Sequence, residues 1–160
     1  MTVIILTIFT LCAFAANSLL CRTALGGSLI DPFSFTTIRL VSGAFILAAI
    51  SHLVPGSAEE PVERGSWGSG LALFVYAAMF SSAYLFLDTG IGALILFAAV
   101  QATMIISGLR SGERPAPVQW LGFVAAMGGL IYLVWPGIAA PSPGGAVLMM
   151  LSGIAWGIYS

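Results

Sequence analysis

The sequence predicts an all-α fold, a polytopic transmembrane helix bundle of about five complete helices and an incomplete sixth. Three observations predict it. Apolar residues make up 59% of the 160 positions and charged ones 7%, with no lysine anywhere. An ordinary soluble domain is about a quarter charged, so this chain could not cover a water-facing surface and calls for hydrocarbon around it. Next, the few charges divide the chain into uncharged runs of about the 20 residues that a helix needs to cross a core of roughly 30 Å. Finally, those runs are continuously apolar rather than alternating, and in lipid every backbone amide needs an internal partner, which favours helices.

The first run, Thr2 to Cys21, carries no charge. It lacks the basic start of a cleaved signal peptide, and Asn17 interrupts its apolar plug, so it reads as a retained helix. The second, Pro32 to Val54, contains only Arg39; the third is Gly68 to Leu87, the fourth Thr89 to Leu109, and the fifth Val118 to Trp135. A sixth starts near Gly144 and reaches Ser160, a rise of about 25 Å that falls short of a full crossing.

Turn chemistry separates them. Gly26-Gly27-Ser28 with Asp31-Pro32, Pro55-Gly56-Ser57, Asp88-Thr89-Gly90, Arg110 to Pro115, and Pro136-Gly137 through Gly144 all stop helices for steric reasons. The second connection is the most polar, with Glu59, Glu60, Glu63 and Arg64. Arg64, Arg110 and Arg114 fall in the second and fourth connections, against Arg22 alone in the first, so the positive-inside bias puts the N-terminus in the cytoplasm.

Leu11-Cys12-Ala13-Phe14-Ala15-Ala16-Asn17 aligns with Leu151-Ser152-Gly153-Ile154-Ala155-Trp156-Gly157 at two identical positions. Five helices lie between the two starts, an odd number, so a second copy would enter from the opposite face. That is the inverted repeat of many secondary transporters. The chain then reads as a first repeat, residues 1–137, followed by the first helix of a truncated second, residues 144–160.

Ile30-Asp31-Pro32-Phe33 through Ile38-Arg39-Leu40, the helix from Thr89-Gly90 to Ile106, Ser111-Gly112-Glu113-Arg114-Pro115, Gln119-Trp120-Leu121-Gly122 and Pro136-Gly137 together resemble EamA-type transporters of the drug/metabolite transporter superfamily. The resemblance covers nearly the whole chain, and its Gly-Glu-Arg turn is the most specific part. It implies ten helices in two repeats, half of an inverted-repeat transporter here. It further implies a secondary transporter of small metabolites or drugs, an exporter working by alternating access, in a bacterial inner membrane.

A carrier needs polar groups near the midplane to replace substrate hydration. Arg39 lies about 10 Å into its helix by rise, where a charge should face protein or water rather than lipid. An arginine so near a helix end can snorkel outward. A clamp on helix-end carbonyls or on Asp88 is therefore the preferred reading, and an anion contact or gate the alternative. Asn17 and Gln101 are mid-helix amides that can bind substrate or bridge helices. Tyr76, Phe80 and Tyr84, four residues apart, share one face and either line a cavity or pack. Trp156 joins them if the sixth helix lies against the third and fourth. Ser81 and Ser82 should bond to carbonyls of their own helix. Gly122 with Ala126, Ala125 with Gly129, and Gly153 with Gly157 have the spacing that permits close helix approach.

The other functional classes find little in the chain. A single Asp88-Thr89-Gly90 is no aspartic protease, which needs two carboxylates sharing a proton. Cys12 and Cys21 have no metal spacing, His52 is the only histidine, and no catalytic triad is present, so neither an enzyme nor a cofactor or metal is expected. A net charge of −1 with scattered arginines argues against nucleic acid. The expected partners are the lipid bilayer and a small-molecule solute, with homodimerisation as the route by which a short form would complete itself. The alternative function is a non-transporting truncated membrane module or helical scaffold.

Overall fold

The computed structural model describes residues 2–27, 30–53, 65–134 and 141–160, and all regular structure among them is helical. The helices are α1 (Thr2–Gly26), α2 (Pro32–Leu53), α3 (Trp67–Ala83), α4 (Thr89–Arg110), α5 (Pro117–Val134) and α6 (Pro143–Tyr159). Three of them, α1, α2 and α4, are long and apolar enough to cross a membrane. The others are equally apolar but shorter; 17 residues rise only about 26 Å. Ser28, Pro55 to Ser57, Glu59, Glu60, Glu63, Arg64, Trp135 and Pro136-Gly137 lie outside the described residues. The arginine count behind the orientation therefore rests partly on undescribed chain.

Local chemistry sets the helix ends. Asp31 accepts from the amides of Phe33 and Ser34 at 3.0 and 2.9 Å and so caps α2 ahead of Pro32. Bonding to the Ser34 side chain, then to its amide, holds this carboxyl below the usual range. The cap is thus intact at neutral pH and is lost as pH falls through that lowered value. Ser66 accepts from Ser69 at the head of α3, and Ser142 from Gly145 at the head of α6. Gln119 reaches back to the Ala116 amide at 2.7 Å, half of a capping box that starts α5.

Two boundaries differ from expectation. The first helix continues past Cys21 to Gly26, because Arg22 does not break it but bonds sideways to a neighbour. The third stops at Ala83 rather than Leu87. Leu85 and Phe86 turn back onto the Ser82 and Ala83 carbonyls at 3.3 and 3.0 Å.

The packed centre is α3, α4 and α6. Ser142 donates to the Phe86 carbonyl and Ser152 to the Tyr76 carbonyl, so α6 runs antiparallel to α3. Gly153 lies against Leu96, Ala99 and Val100, and Gly157 against Val100 and Thr103, so α6 runs parallel to α4. A β-carbon on Gly153 would sit 2.6 Å from that of Ala99 and 2.7 Å from the Leu96 carbonyl oxygen. The Gly153/Gly157 pair is therefore what lets two backbones meet, as its spacing suggests. Gly122 and Gly129 of α5 meet nothing within 4 Å among the described residues. Their small-residue pattern makes no close crossing there.

The remaining helices are draped on this centre. α2 lies on α3, where Thr36 donates to Ser81 at 2.8 Å and Ser81 to the Ala77 carbonyl at 2.9 Å. Ser82 likewise bonds within its own helix, to Ala78. α5 lies along α4. Outward faces stay strongly apolar, with Val3 at 75% and Leu53 at 80% exposure. Surface of this kind on three crossing-length helices makes the chain a membrane protein.

Candidate site where four helices meet

Each helix contributes one face. From α1 come Phe14, Asn17, Ser18 and Cys21, spaced three and four apart and the more buried part of a mostly exposed helix. From α2 come Phe35, Thr36 and Arg39; from α3, Tyr76, Phe80 and Tyr84; from α6, Trp156. Phe80 and Tyr84 are completely buried and meet edge to face at 4.8 Å. Aromatic contacts continue from Phe80 to Tyr76 at 5.6 Å and from Tyr76 to Trp156 at 5.2 Å. Trp156 then touches Phe14 at 5.2 Å and Phe97 of α4 at 6.0 Å. Asn17 comes within reach of the Tyr76 hydroxyl.

Arg39 enters this aromatic row from α2. Its guanidinium carbon lies 5.2 Å from the Phe80 ring centre and 5.9 Å from those of Phe35 and Tyr76. Electron-rich ring faces attract a cation, most strongly where water is excluded. The nitrogen Nη1 is buried and has no hydrogen-bond partner among the described residues.

The clamp expected of Arg39 is made by a different arginine. Arg22 donates from Nη1 to the Tyr84 carbonyl at 2.9 Å, and its Nη2 lies 3.5 Å from Asp88 Oδ1. It thereby caps the end of α3 and holds the carboxylate that heads α4. Asp88 makes no side-chain cap of its own helix. Arg39 therefore clamps neither Asp88 nor a helix end. The reason is depth: Arg22 sits at the α3–α4 turn, whereas Arg39 lies lower, at the level of Tyr76 and Phe80.

Of the residues singled out in sequence, Asn17, Arg39, Tyr76, Phe80, Tyr84 and Trp156 come together. Gln101 does not. It is exposed and lines a cavity of about 790 Å³ between α4 and α5, with Glu113, Arg114, Gln119 and Trp120. A second, mainly apolar cavity of about 970 Å³ lies among α4, α5 and α6, with Thr103, Ser107, Arg110 and Ser160 as its polar members. Phe14, Phe35, Phe97 and Cys21 escaped sequence reading. One apolar residue on an apolar helix looks like any other until a neighbour selects its face. Spacing from Asn17 does pick out Phe14 and Cys21, at three before and four after.

No family model matches the chain, and no solved structure matches it. Over 157 residues it is 53% identical to an uncharacterized protein of Pseudomonas aeruginosa, an alignment covering 98% of this chain and 54% of that protein. The chain thus spans about half the length of the curated relative it matches.

Proposed function

We propose that this chain is the first half of a secondary membrane transporter of small metabolites or drugs, an exporter that works by alternating access at a midplane cavity. The observation that supports it most is Arg39, a cation without a bonded partner among the described residues, set among polar and aromatic side chains. Groups of that kind inside a membrane bundle are expensive to keep and mark solute pathways. In this reading all six helices cross or enter the bilayer, residues 1–137 form the first EamA-like repeat and residues 144–160 open the second, with the N-terminus cytoplasmic. The alternation of helix direction through α3, α4 and α6 fits that plan. A relative about twice as long fits it too.

The helix α6 gives the reading its internal logic. As the start of a second repeat it would be the element that joins the halves, and it is already the best-packed helix, lying against both α3 and α4. A non-transporting helical scaffold is the second reading, favoured by the complete burial of Phe80 and Tyr84. Reconstitution separates the two. Vesicles carrying the protein should show saturable flux of at least one amino acid, nucleoside or drug above empty vesicles. Trp156→Ala should lower that flux about tenfold, the equivalent of roughly 1.4 kcal/mol of lost interaction. Flux indistinguishable from empty vesicles for every solute removes the transport reading.

A further inference from the structure

From the geometry around Arg39 we infer a binding site for a small organic monocarboxylate with an aromatic or otherwise apolar body. The inference deepens the transport reading and rests on it for its biological sense, though not for its test.

A guanidinium has two recognition surfaces. Its faces stack on rings, and its edge donates parallel hydrogen bonds that match a carboxylate. Here rings supply the first: Phe35, Tyr76 and Phe80 surround Cζ at 5.2 to 5.9 Å. The second is left unused by the described residues, among which buried Nη1 has no partner. A buried charged donor left unpaired is costly, and an incoming acceptor relieves that cost.

The acids of the described residues are all committed elsewhere. Asp88 faces Arg22, Asp31 caps α2, and Glu113 folds against Gly108 at the far end of α4. A ligand carboxylate would supply the acceptor that the described residues do not offer Nη1. Its charge follows from the count of cations. Arg22, the other arginine near this site among the described residues, is occupied by the Tyr84 carbonyl and Asp88. One free cation among the described residues suits one negative charge, which favours a carboxylate over a phosphate dianion. The ligand's body follows from the neighbours, Tyr76 and Trp156, whose rings are only partly buried and so remain reachable. Asn17, also partly buried, can meet a polar substituent.

The test uses the whole protein in lipid nanodiscs, with radiolabelled phenylacetate and its neutral isostere phenylacetamide as probes and empty nanodiscs subtracted. The native protein should prefer the acid about tenfold or more, as expected of one hydrogen-bonded charge pair. Arg39→Gln should bring that ratio to about one. A native ratio near one, or an undiminished ratio in Arg39→Gln, overturns the assignment. Should Arg39→Gln fail to fold, Arg39→Lys, which keeps the charge but loses the planar fork, is expected to lower the ratio, and an unchanged ratio there overturns it equally. Binding is read without flux. A protein that favours the acid yet moves no solute refutes only the transport reading, and one that moves neutral solutes with no acid preference refutes only this site.

Discussion

Arg22 and Arg39 lie 17 positions apart in sequence and differ in everything that surrounds them. Arg22 is two-thirds covered, yet its ionic partner Asp88 is 82% exposed in its side chain. An exposed ion pair contributes about 0–1 kcal/mol, whereas a bond from a charged donor to a helix-end carbonyl contributes about 1.5–3 kcal/mol. Asp88→Asn should therefore change unfolding midpoints little, while Arg22→Gln should destabilise by about 1–2 kcal/mol. Thermal or denaturant melts in detergent would check the order, and equal losses would mean that the ion pair, not the carbonyl, matters. The sequence calls for an arginine on helix-end carbonyls or on Asp88. Arg22 rather than Arg39 fills that place, because position along a helix says nothing about which turn of a neighbour lies alongside.

Element boundaries were more legible, for their causes are local. The end of α4 is an example. Gly112 has φ of +89°, its amide donates to Leu109 at 3.1 Å, and the Glu113 amide donates to Gly108 at 2.9 Å. This pair of bonds with a left-handed residue is a common helix stop, and glycine adopts that conformation without strain. The Gly-Glu-Arg turn that carried the family resemblance thus has a backbone reason for its glycine. Gly112→Ala should cost about 1–2 kcal/mol, the penalty for a left-handed backbone, and Gly112→Asn less. Chemical denaturation of the two variants measures this; an alanine as stable as native would mean that the turn relaxes to another shape. By contrast, the ends of α1 and α3 are not set locally, since both depend on the Arg22–Tyr84 contact between elements distant in sequence.

For the molecule as a whole, stability is concentrated where backbones approach. Gly153 leaves no room for a methyl group against Ala99 and Leu96, while Gly122 meets nothing among the described residues. Gly153→Ala should destabilise by about 1–3 kcal/mol, the usual cost of overpacking, and should loosen α6 from α4. Gly122→Ala should be neutral or slightly stabilising, given the higher helix propensity of alanine. Melts of both variants would decide, and similar behaviour would show that α4 and α6 do not hold the centre together. In sequence the two small-residue pairs looked alike, and only the arrangement of helices distinguishes them. The site shows the same limit. Six of its seven candidates converge, but Gln101, as polar and as central as Asn17, opens toward α5 instead.

What the sequence determined by itself is the solvent and the secondary structure. Charge poverty and unbroken apolar runs force internally bonded helices, and Gly, Pro, Ser and Asp mark their ends through bonds that span a few residues. Tertiary structure alone decided which face of each helix looks inward, which arginine clamps and which stands among rings, and which glycine pair forms a crossing. In a chain apolar on every side, amphipathic periodicity is too weak to select a face, so that choice falls to shape and to a few interhelical hydrogen bonds.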